Sequence, residues 1–303
     1  MSVNMIRGIN MILTGDTIKK RYLNPTAENI RQSFINDSAG RNAEIREFIK
    51  ILSSIDEGVS IALDSEWGSG KTFFVSQVKM IFDYNNLSDI EKNGIYESEV
   101  LHVWKNLTRQ DDEFVFAPHL AVYFDAWANE NDTDPLCSVI LKILESADNR
   151  KSLQNRIDMK AFRSAFGKLT SSLNDFYHSD ISENYMRDSF TDDLNEQKLL
   201  PQKTDECLRA INPDSSLRIV IFIDELDRCR PEYALRLLER IKHYFDTDRV
   251  TFVFSVNLSE LQNMVKHCYG ESYDSVRYLD KFFDCRIQPD WTKTEDKEGK
   301  YAK

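Results

Sequence analysis

The stretch Asp64-Ser65-Glu66-Trp67-Gly68-Ser69-Gly70-Lys71-Thr72 constrains this chain more than any other. It follows GVSIAL (58–63), a short apolar run rich in β-branched residues, and precedes FFVSQVKMIFD, which reads as a helix. In a strand–loop–helix unit of this kind, successive backbone N–H groups form an anion-binding nest, and the helix N-terminus adds its own free N–H groups. The pattern for such a loop is Gly, four residues, then Gly-Lys-Ser/Thr. Its second half is intact in Gly70, Lys71 and Thr72, while Ser65 replaces the first glycine. Ser65 falls at the strand exit, where the chain bends, and a serine is admissible there if its φ is negative. Gly68 and Gly70 allow the backbone to approach a phosphate closely. The expected cradle is therefore Ser65, Glu66, Trp67, Gly68, Ser69, Gly70, Lys71 and Thr72. Lys71 is expected to reach the β- and γ-phosphates, and the Thr72 hydroxyl to ligate Mg²⁺.

A second element fits the first. LRIVIFIDELDRCRP (217–231) holds the strongest buried strand in the chain, and it ends in Asp224-Glu225. A carboxylate at the C-terminal end of a strand beside the loop supports Mg²⁺, the role expected of Asp224. Glu225 is placed to activate a water for attack on the γ-phosphate. A third strand, VTFVFSVN (250–257), ends in Asn257. Two readings of Asn257 stand: it positions the attacking water, or it turns the chain at a strand end.

Around these motifs, strands alternate with helices. RNAEIREFIKILSSI (41–55) carries Ile45, Phe48, Ile49 and Leu52 at helical spacing, and HLAVYFDAW (119–127) reads as a strand. Pro135 and Pro231 suit first helical turns, and Gly270 closes the helix begun at 258. YLDKFFDCRIQP (278–289) reads as a helix running into a short last strand. This alternation predicts an α/β fold with a parallel sheet covered on both faces. The expected organisation is an N-terminal lead-in with a short helix (1–35), a nucleotide-binding domain (36–291) with a helical insertion (148–215), and a charged tail (292–303).

Composition narrows the function. The net charge of −11 disfavours wholesale nucleic-acid binding. A local exception is Arg156, Lys160 and Arg163 near Phe162 and Phe166, which read as a partner-docking helix, a nucleic-acid patch or a solvated basic face. Five cysteines without CxxC spacing suit reduced thiols and argue against a zinc site. No run approaches the about 20 apolar residues of a membrane span, and no leader pattern is visible, so a cytoplasmic location is expected. Trp127 reads as a core aromatic, with a part in a partner surface as the other reading.

Taken together, WGSGKT (67–72), FDAW (124–127), FIDELDRCRP (222–231) and YLDKFFDCRIQP (278–289) resemble the KAP family of P-loop NTPases over roughly 36–290. The run Asp224-Glu225-Leu226-Asp227-Arg228-Cys229 is the most specific part. The resemblance implies the additional-strand, catalytic-Glu type of P-loop fold, a sheet order of 5-1-4-3-2, and ATP as nucleotide. It implies a regulatory or assembly ATPase, resembling bacterial phage-exclusion and defence components, with protein partners and self-association as further expectations. The membrane helices many members carry within this domain are absent, and Ser65 departs from the loop pattern. Gly40-Arg41 resembles a turn that packs near the base in related NTPases, which makes Arg41 a further nucleotide-binding candidate. Arg228 is expected to contact phosphate or a neighbouring subunit, or to pair with Asp227 or Glu225. A nucleotide-locked scaffold, a nucleotide-dependent nucleic-acid binder and a small-molecule kinase are the alternatives.

Overall fold

The structure, a computed structural model, describes residues 24–85, 95–109, 116–179, 199–213, 217–245, 250–289 and 291. The charged tail and the stretch 180–198 of the helical insertion lie outside the described residues. Five strands form one all-parallel sheet: β1 (Ser60–Asp64), β2 (His119–Asp125), β3 (Arg218–Asp224), β4 (Val250–Val256) and β5 (Cys285–Ile287). Their order across the sheet is β2-β3-β4-β1-β5, which is the expected 5-1-4-3-2 read from the other edge. β4 thus inserts between the strand bearing the loop and the strand bearing Asp224.

Parallel strands need crossover connections, and these supply the two outer layers. On one face lie α1 (Ala27–Ile35), α2 (Asn42–Ser54), α3 (Lys71–Asn85) and α4 (Ile95–Thr108). Their Phe34, Ile45, Ile49, Val78, Phe82 and Trp104 pack with Ile61, Leu63, Val220, Phe222 and Val253 of the sheet. The other face carries α5 (Pro135–Asp148), the short α6 (Lys151–Gln154), α7 (Met159–Ser179), α8 (Leu200–Ile211), α9 (Pro231–Tyr244), α10 (Leu258–Tyr269) and α11 (Ser275–Leu279). There Ala62, Val122, Phe124, Ile221, Ile223, Phe252 and Phe254 meet Val139, Ile143, Leu169, Leu238, Leu261 and Leu279. Adjacent strand residues divide between the two cores because strand side chains alternate. This is why the strands read as unbroken apolar runs.

The helix boundaries have local causes. Asp134 accepts from the Leu136 N–H, and Pro135 opens α5. Pro231 opens α9, and Gly270, at φ 99°, ends α10. Within 148–215, the described residues are helical apart from short turns and contain no strand. Phe162 is buried and stacks on Phe166, while Arg156, Lys160 and Arg163 are exposed beside them. Among the described residues no helix is long and apolar enough to cross a membrane.

One expectation is corrected. Trp127 is not a core residue; it is 52% exposed. β2 ends at Asp125, and the turn that follows carries Trp127 out over the C-terminal edge of the sheet, beyond the reach of either core.

Candidate nucleotide site

The site forms where parallel strands end side by side. At the exit of β1, the Ser65 N–H donates to the Val256 carbonyl at 3.1 Å, which carries the β1–β4 ladder one step past Asp64. Ser65 is not among the residues with positive φ, so the bend needs no glycine at this position. The demand falls on Gly68 (φ 78°) and Gly70 (φ 89°), both in the left-handed region. A Cβ on Gly70 would lie 2.8 Å from Arg41 Nη1, so any larger residue here makes that guanidinium shift.

Lys71, the first residue of α3, is only 7% exposed. Its ammonium donates back to the carbonyls of Ser65 and, at 3.0 Å, Glu66, spanning the mouth of the loop. Burial lowers its pKa, against the pull of Asp227, Asp224, Asp64 and Glu225. Ser69 Oγ is buried with no hydrogen-bond partner among the described residues. A bridging lysine, an orphaned hydroxyl and two left-handed glycines at a helix N-terminus suit a phosphate group.

The acids come from β3 and its exit. Asp224 pairs in register with Asp125 of β2 and Ser255 of β4 and is 2% exposed. Its Oδ2 accepts from the Tyr123 hydroxyl at 2.9 Å and its Oδ1 from the Glu225 N–H at 3.1 Å. Burial and the Asp224 charge beside it hold the Tyr123 hydroxyl firmly protonated. Glu225 follows at φ 60°, a left-handed conformation that a residue with a side chain adopts at a cost in strain. Burial first, then the nearby Asp224 charge, push its carboxyl up to about 7, with Arg228 pulling the other way. Arg228 forms its ion pair with Glu225. Asp227 accepts instead from the Trp67 indole and the Asn257 backbone.

The remaining candidates stand as follows. The Asn257 side chain caps α10 by accepting from the Ser259 N–H at 3.1 Å, and its backbone N–H faces Asp227. Arg41 reaches the loop: its guanidinium lies against Gly70 and 4.3 Å above the centre of the Trp291 ring. Burial lowers its pKa, and Glu44 acts in the opposite direction. Trp291 is itself fixed by its indole N–H to Glu44 at 2.7 Å and by contact with Phe74 of α3. The Thr72 hydroxyl and Asp224 carboxylate are hard oxygen donors of the kind Mg²⁺ takes. Among the described residues no three His, Cys, Asp or Glu side chains converge as a metal cluster. An ion held partly by nucleotide phosphates and water needs only one or two protein oxygens.

Sequence patterns missed four contributors. Asp64 accepts from the Leu258 N–H and from Gln288, tying the loop's root to α10 and to the segment after β5. Tyr123, Asp227 and Trp291 act through partners distant in sequence. The available signals were a tyrosine in an otherwise apolar strand and an extra acid after the Asp-Glu pair.

A loop after β1, an acidic pair after β3 and an added strand between them define the additional-strand class of P-loop NTPases, a fold that generally binds nucleotide with Mg²⁺. The chain belongs to the KAP family: the model of the KAP family P-loop domain matches residues 41–294. Comparison with curated proteins returned no match.

Proposed function

We propose that this chain binds Mg²⁺–ATP at residues 65–72 and hydrolyses it, using the cycle as a conformational or assembly switch. The observation that carries this is the convergence of Lys71, the phosphate loop, Asp224 and Glu225 at one edge of the sheet. Ser65 to Gly70 hold the phosphates through backbone N–H groups. Lys71 leaves the loop carbonyls for phosphate oxygens, and Arg41 adds a cation beside Gly70. Thr72 and Asp224 would hold Mg²⁺, which when bound would supply positive charge against the phosphate oxygens. Tyr123 orients Asp224. Glu225 accepts the proton of the water that attacks the γ-phosphorus, and Asn257, at the end of β4, is the candidate to position that water. The proposed setting is a cytoplasmic, multi-component regulatory system such as bacterial antiviral defence, with protein partners and self-association.

One observation favours a second reading. The Glu225–Arg228 ion pair occupies the base with a cation, as suits an ATP-bound scaffold that organises partners without turnover.

Phosphate release from ATP and Mg²⁺, measured over a range of protein concentrations for wild type and Glu225→Gln, separates the two. Turnover by wild type, with binding but no turnover by Glu225→Gln, supports the ATPase. Binding without turnover at every concentration supports the scaffold. A rate per chain that rises with concentration indicates a site completed by association.

A further inference from the structure

Asp227 belongs neither to the phosphate loop nor to the Asp-Glu pair, yet it touches the machinery on both sides. Its side chain is only 4% exposed. A single oxygen, Oδ2, accepts the Trp67 indole N–H at 2.7 Å and the Asn257 backbone N–H at 2.9 Å. Asp227 itself sits in the one-turn helix Leu226–Arg228 that begins directly after Glu225. One carboxylate thus joins the loop after β1, the end of β4 and the turn that carries the base.

The loop end of this brace is directional. Trp67 is 54% exposed, so burial does little to hold its ring in place. The indole N–H does, through a charge-assisted bond that is about twice as strong as a neutral one. Asp227 is also the acid that most strongly opposes the lowering of the Lys71 pKa, which sets its charge close to the loop's lysine.

Resting on the nucleotide-site reading above, we infer that Asp227 is a positioning residue that holds the phosphate loop in register with the Glu225 turn, with Trp67 as its point of attachment. A loop freed from this brace drifts relative to Asp224 and Glu225. A phosphate bound to it then meets Lys71 less well and lies out of line with the base.

The test uses the full chain and two readouts. The first is the indole N–H resonance of Trp67 in a ¹⁵N spectrum without nucleotide, identified by its loss in Trp67→Phe. It moves in Asp227→Ala and stays close to its place in Asp227→Asn, whose amide oxygen still accepts. The second is calorimetric titration with ATP in Mg²⁺. Trp67→Phe weakens binding about tenfold, the scale of one hydrogen bond to a charged group. On an Asp227→Ala background the same substitution adds nothing. Should Asp227→Ala not fold, Asp227→Asn is the background, and the penalty shrinks with the weaker neutral acceptor. An unmoved indole resonance, no penalty from Trp67→Phe, or a penalty of equal size in both backgrounds overturns the inference. If wild type does not bind ATP, the nucleotide reading fails, while the resonance still decides whether Asp227 holds the loop.

Discussion

Replacing Gly70 with alanine tests the geometry of the loop at its tightest point. Two costs apply. At φ 89° an L-residue carries a penalty of about 1–2 kcal/mol. The new Cβ also lies 2.8 Å from Arg41 Nη1, too close for both to stay. Arg41, whose guanidinium is the far end of a flexible side chain 4.3 Å from the Trp291 ring centre, has to shift, and a shift off that ring loses up to about 0.5–1 kcal/mol of cation–π attraction. The sum is about 2 kcal/mol, a fall of about 4–8 °C in melting temperature for a domain of this size. Thermal denaturation followed by circular dichroism measures it. Repeating the substitution in Arg41→Ala isolates the second term: with the guanidinium gone, the cost drops by about 0.5–1 kcal/mol. A melting temperature within a degree of wild type, or an identical cost with and without Arg41, refutes the reasoning.

Three further outcomes follow from the packing and the charges. Asp134 and Arg240 form a buried pair at 3.1 Å, and Asp134 also caps α5; Asp134→Ala takes the carboxylate from a buried guanidinium together with the cap and costs about 3–5 kcal/mol by urea denaturation. Phe222 lies fully buried in the central strand β3, and Phe222→Ala costs about 3–5 kcal/mol in the same assay. His119 is buried against Phe82, and burial first, with the Arg218 charge adding to it, holds its pKa below the usual 6.5 against the opposing Ala117 hydrogen bond. The unfolded chain therefore binds this proton first. Its contribution is fully present above pH 6.5 and is lost as pH falls toward the folded pKa, at up to about 1.4 kcal/mol per unit. Urea midpoints at pH 7 and 5.5 show the loss, and His119→Gln reduces it.

What could be read from sequence alone was what depends on short-range pattern. The strand–loop–helix unit, the Asp-Glu strand and the intervening β4 were all visible, because a buried parallel strand is a continuous apolar run and a phosphate loop is a fixed spacing of glycines and a lysine. Ser65 shows why the altered position does not break the loop: the left-handed conformations sit at Gly68 and Gly70. α4 escaped notice although Val100, Val103, Trp104 and Leu107 recur at helical spacing. Trp127 was misplaced because an aromatic two residues past a buried strand looks the same in sequence whether the chain continues or turns. The contacts of Asp227 with Trp67 and of Trp291 with Glu44 join residues far apart in the chain, and no local spacing announces such pairs.

The Trp291–Glu44 bond has a consequence for the order in which the protein is made. Its partners are 247 positions apart, and Arg41 lies between Trp291 and the phosphate loop. A ribosome delivers Arg41 and residues 65–72 early, then Asp224 and Glu225, and Trp291 last of these. The growing chain therefore carries an unsupported loop through most of its synthesis. The proposed grip on ATP would then arrive in a late step, when the segment after β5 closes over the first turn of the domain. A chain stopped after residue 280, lacking both β5 and Trp291, binds ATP more weakly than the full chain, and titration of the two shows the difference.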